Sequence, residues 1–201
     1  MKVTSEVARA SLVEVDEVVS RTRKAVAGRG TGLILMVWGI VWIVCYVATH
    51  LLIVNRAVDW IGSAWWVGVA IGIAGTFVIL GLSRRHAPVR SEQGKRIGRR
   101  VFWSWFALFV FADAWLVVLW PWSPLQMNAF LVTVIMFAYV MIGLWMSSRF
   151  FLVLGLGVAA AAVVGYLLTM AGVFDYYNLW MAVAGGGALF ASGVYIRKAW
   201  N

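Results

Sequence analysis

From residue 31 onward the chain consists of apolar runs of about twenty residues joined by short polar connections, a pattern that leaves one kind of fold open. A helix rises about 1.5 Å per residue, so a run of that length crosses the ~30 Å hydrocarbon core of a bilayer. In lipid, each backbone amide must find its partner inside its own segment, which excludes open sheet edges and irregular loops there. Six such runs are present, at 31–54, 60–82, 101–120, 125–146, 150–172 and 178–196. The expected fold class is all-α: a polytopic membrane protein with six transmembrane helices. Composition agrees, since 63% of residues are hydrophobic and 12% charged, where soluble domains have roughly half and a quarter. A chain of 201 residues then has no room for a separate globular domain of ordinary size.

Orientation follows from the stretch 83–100, SRRHAPVRSEQGKRIGRR, which places seven Lys/Arg between two apolar runs. A short loop this basic resists translocation and belongs on the cytoplasmic side. The rest of the basic residues fall into line. Lys2, Arg9, Arg21, Arg23, Lys24, Arg29, Arg149, Arg197 and Lys198 share that side, and Arg56 alone lies opposite. Both termini are therefore expected in the cytoplasm, with the spans in a bacterial inner (plasma) membrane. Trp60, Trp120, Trp122, Tyr176, Tyr177 and Trp180 mark the outer boundary, where amphipathic rings sit at headgroup level. The formal charge of +9 needs no nucleic acid to explain it. Basic residues beside apolar spans are accounted for by topology and by anionic lipid headgroups, expected here at the basic loop.

The segment 1–30 is polar enough to be aqueous, yet Ala8, Leu12, Val15, Val19, Thr22 and Val26 recur at alternating steps of four and three. That spacing predicts a cytoplasmic amphipathic helix over about 5–27, with acidic residues early and basic residues late, as the helix dipole favours. It either rests on the membrane surface or serves as a docking or dimerisation helix, so its expected partner is another protein or a second copy of this chain. The charged region is too long for a signal peptide. A basic amphipathic helix followed by six spans resembles the layout of uncharacterised small bacterial inner-membrane proteins. It also looks like the substrate-binding subunits of energy-coupling-factor vitamin transporters, a likeness that implies binding of a small solute.

Small residues mark the packing faces. Ala64, Gly68, Gly72 and Thr76 recur every four residues in the second span, and Gly157, Ala161 and Gly165 do so in the fifth. Such stripes let helices approach closely where lipid supplies no hydrophobic drive between them. Gly155, Gly157 and Ala160 formally fit a dinucleotide fingerprint, which has a mechanism only at a strand-to-helix turn. They read as helix contacts instead. Gly185, Gly186 and Gly187 suit close packing and a point of flexibility. The chain has one cysteine, Cys45, and two histidines, His50 and His86, so no intrachain disulfide and no Cys-based or all-His metal site can be assembled. No cofactor is expected, and nothing points to an enzyme.

What remains is a set of polar side chains at one depth. Counting rise along the spans puts Asp113 roughly 18 Å from the inner start of its helix, just past the midplane, with His50 and Asn128 each about one turn inside the outer boundary. An ionisable group there costs at least about 2.5 kcal/mol, so Asp113 is expected to face the bundle interior, either paired with His50 or Arg56 or neutral as a hydrogen-bonding contact between helices. Two functions fit. The first is a non-enzymatic membrane partner or sensor working through the amino-terminal helix and the basic loop. The second is a small-solute or cation binding or transport component, whose outward-facing pocket around Asp113 is lined by Phe106, Phe109 and Trp115.

Overall fold

A computed structural model of the chain describes residues 30–85, 92–145 and 148–199. The helix expected over 5–27, most of the segment 1–30, and His86 lie outside them. The described residues are helical apart from short connecting turns and hold no strand, and six helices are long and apolar enough to cross a membrane. The protein is an all-α polytopic one. In chain order the helices are α1 (Gly30–Val54), α2 (Ile61–Arg85), α3 (Glu92–Val118), α4 (Pro124–Trp145), α5 (Arg149–Met170), α6 (Tyr177–Met181) and α7 (Ala188–Ala199). A π-helical turn, Ala182–Gly187, joins α6 to α7, so the three form one continuous last span.

The helix ends follow from local chemistry. α1 stops where Arg56 enters the left-handed region at φ 57°, with Arg56 N donating to Ile53 O and Ala57 N to Leu52 O, a Schellman closure of the last turn. Gly172, at φ 68°, closes α5 the same way through Thr169 O and Leu168 O. α4 begins with Pro124 at its first position, behind a reciprocal capping box. Ser123 Oγ accepts from Gln126 N at 3.2 Å, and Gln126 Oε1 accepts from Ser123 N at 2.9 Å. The basic stretch 83–100 is not one long loop. α2 runs on to Arg85 and α3 starts at Glu92. A change in hydropathy marks the end of the apolar run, whereas Gln93, Lys95 and Arg96 are good helix formers and extend the helix beyond it.

Four spans make the core. Leu35, Trp42 and Tyr46 of α1 meet Met136 of α4, Leu154, Val158 and Ala162 of α5, and Met181 and Leu189 of the last span. α1 and the last span cross closely. A Cβ built on Gly39 would lie 2.5 Å from Phe190 N, and one on Gly186 would lie 2.8 Å from Ile43 N. Only glycine lets the two backbones come so near. α2 packs along α1 through its small-residue stripe. Gly68 sits against Cys45 Sγ, Gly72 lies under the Trp38 ring, and Thr76 Oγ1 accepts from Trp38 Nε1 at 3.1 Å. On α5, Ala161 and Gly165 seat Trp180, whose Nε1 donates to Ala161 O at 2.9 Å, while Gly157 faces open space. Gly155 packs instead on the α4 backbone at Met136 and Val140. α3 leans on α4 along Trp105, Leu108 and Ala112, and buries less of its length than the other spans.

Successive spans run antiparallel, so the starts of α3 and α5 and the ends of α2 and α7 gather at one basic end of the bundle. Arg56, Pro121, Pro124 and Asp175 mark the opposite end.

Candidate functional site

Among the described residues, the buried side chains of Tyr46, Thr49 and Tyr177 lie in the half of the bundle opposite the basic end. Tyr46 occupies α1 one turn before His50 and is 1% exposed. Its hydroxyl donates to Asn128 Oδ1 on α4 at 2.8 Å and ties the first span to the fourth. Thr49, also buried, donates from Oγ1 to Cys45 O at 2.8 Å and accepts from Trp65 Nε1 of α2 at 3.0 Å. The Trp65 ring stands edge-on to Tyr46 with centroids 5.0 Å apart. Tyr177 opens the last span at 4% exposure, and its hydroxyl is buried without a hydrogen-bond partner. Tyr177 therefore belongs to the core and not to the aromatic boundary, because Gly165 leaves room for its ring against α5. Trp60, Trp120 and Tyr176 do stand exposed near that boundary.

The three residues singled out in the sequence are not brought together. Asn128 is half-buried and bonded to Tyr46. His50 is half-buried, and its ring meets Tyr176 at a centroid distance of 5.9 Å. Asp113 lies elsewhere. It is exposed on α3, and among the described residues no hydrogen bond or ion pair reaches it. The neighbour that packs inward at this level is Ala112, 2% exposed, and one residue of helix turns Asp113 about 100° away from it. The expectation that Asp113 faces the bundle interior opposite His50 or Arg56 is corrected accordingly. Arg56 closes α1 through its backbone, and its side chain is exposed.

Asp113 instead shares an exposed stripe with Phe102, Phe106, Phe109 and Val117, spaced at steps of four and three along one face of α3. A groove lies between α3 and α4 nearer the basic end, and Asp113, Phe106, Phe109 and Trp115 stay outside it. Sequence reasoning missed Tyr46, Thr49 and Trp65. The available signal was their register, since Tyr46 and Thr49 fall on the same face of α1 as Trp42.

Comparison of the chain with family models, with curated proteins and with solved structures returns no match.

The Tyr46 to Asn128 bond has a measurable consequence. Tyr46→Phe leaves the Asn128 amide unpaired and should cost about 0.6–1.7 kcal/mol of unfolding free energy in detergent. Asn128→Leu should cost a similar amount, and the double variant should lose less than the sum, as coupled partners do. Strictly additive losses in the unfolding midpoints would show that the bond carries no energy.

Proposed function

We propose that this multi-pass membrane protein is a non-enzymatic partner subunit, and that the outer stripe of α3 is the face it offers to a transmembrane helix of another protein. The support is the position of Asp113. A carboxyl group exposed to hydrocarbon near mid-membrane costs at least about 2.5 kcal/mol, and such groups are retained where something pairs with them. The complementary partner is a helix bearing a basic or amide side chain at the same depth, flanked by residues that fill the spaces between Phe102, Phe106 and Phe109. The basic end faces the cytoplasm of a bacterial cell in this reading, on the strength of the positive-inside bias.

A solute-binding reading draws on less. Its expected centre, Asp113, is on the outside of the chain, and what favours it is the unpaired Tyr177 hydroxyl beneath the Trp60 and Tyr176 boundary.

Photo-crosslinking in native membranes tests the partner reading. A photoactivatable residue at Phe106 or Phe109 should yield a discrete adduct that disappears when Asp113 is changed to leucine. The same residue at Ala112, which packs inward, should yield none. Equal labelling at all three positions, or adducts indifferent to Asp113, would refute it.

A further inference from the structure

The groove between α3 and α4 has a volume of about 400 Å³ and is lined by Ser104, Leu108 and Phe111 on one side and by Ala138, Met141 and Trp145 on the other. Its lining is almost wholly carbon. The one hydroxyl in it, Ser104 Oγ, is already engaged in donating to Arg100 O at 2.8 Å. Such a surface offers little to a polar solute and suits a hydrocarbon chain. The groove also runs toward cations. Arg100 precedes Ser104, Ala107 and Phe111 at steps of four, three and four, so it continues the groove-facing stripe of α3 into the region where the helix leaves lipid, and its side chain is exposed. Arg149, likewise exposed, opens α5 four residues beyond Trp145 at the same end. The acidic residue nearest Arg100 along α3 is Glu92, about two turns back toward the helix start.

From this juxtaposition we infer that the groove is a binding site for an anionic phospholipid of the leaflet at the basic end. One acyl chain lies between α3 and α4, and the phosphate is held by Arg100, with Arg149 adding charge. A guanidinium pairs with phosphate through two parallel N–H donors, which a zwitterionic headgroup carrying its own cation partly forfeits. The site is more specific than general attraction of a basic surface to lipid, because shape and charge select the ligand together.

The test uses the full chain purified in detergent and titrated with phosphatidylglycerol or phosphatidylcholine, with retained lipid counted by native mass spectrometry. The wild type should retain one phosphatidylglycerol in preference to phosphatidylcholine. Ala138→Trp, which fills the groove, should abolish retention of that lipid. Arg100→Gln should lower phosphatidylglycerol affinity about fivefold and bring it to the phosphatidylcholine level. Should Ala138→Trp fail to fold, the exposed Arg100→Gln carries the test alone. Excess inorganic phosphate should not displace the lipid, since the acyl chain anchors it. Equal retention of the two lipids by the wild type, unchanged binding in Arg100→Gln, or full displacement by phosphate would each overturn the inference.

Discussion

Replacing Gly39 by alanine should separate α1 from the last span and cost the protein about 1–3 kcal/mol, the usual penalty for overpacking a fitted interface. The reason is what the added carbon meets. It would lie 2.5 Å from Phe190 N and 2.8 Å from Phe190 Cα, and backbone atoms of a packed helix cannot swing aside as a side-chain tip can. The neighbouring glycines multiply the constraint. Gly186 is confronted by Ile43 N and Gly39 O, and Gly193 by Gly32 O, so a displacement that relieves one position strains the helix pair along its length. Gly157 provides the control. Nothing lies within 4 Å of a Cβ at that position, and Gly157→Ala should be neutral or slightly stabilising, because alanine is the better helix former. Unfolding in mixed detergent micelles, followed by circular dichroism, compares the two. Equal midpoints for Gly39→Ala and Gly157→Ala would mean that the crossing is looser than the distances state.

How much of this was legible in the sequence depends on which physical constraint each feature obeys. Length and apolarity determine that a run spans a bilayer, and the six spans could be read from them alone. Small residues every four positions determine a face, so Gly68, Gly72 and Thr76 pointed to a close neighbour, and α1 is that neighbour. The glycine pairing of α1 with the last span was harder to see, because Gly32 and Gly39 recur at seven and stand among large apolar residues. Side-chain direction on α3 was not legible. Its surface is apolar all round, with aromatics on every face, so nothing in the pattern distinguishes a side toward protein from a side toward lipid. The cost of a buried charge was therefore assigned to the wrong boundary: Asp113 needs cover, but that cover need not come from its own chain. Asn128 was found by its depth, whereas its partner was not, because a tyrosine in a span reads as one more aromatic until its hydroxyl is seen to reach across.

Asp113→Leu should leave the isolated protein as stable as the wild type or slightly more so, while weakening its association with a partner about tenfold. The first half follows from exposure. A side chain without a hydrogen bond or ion pair among the described residues takes no internal contact with it when removed, and leucine suits a lipid-facing or detergent-covered surface better than a carboxyl group. The second half follows from what the complex gains. A polar contact between membrane helices contributes about 1–2 kcal/mol in model helices, and 1.4 kcal/mol is a factor of ten. Asp113→Asn separates charge from hydrogen bonding, since the amide keeps shape and polarity. Retained association in the asparagine variant indicates a hydrogen-bonded partner, and its loss indicates a cationic one. The measurements are the unfolding midpoint of the purified variant and the yield of the Phe106 adduct in membranes. A buried ion pair within the chain would give the opposite pattern, because stranding one member of such a pair costs roughly 3–5 kcal/mol. A lowered midpoint in Asp113→Leu, with crosslinking intact, would return Asp113 to the interior of its own bundle and remove the basis for the partner interface on α3.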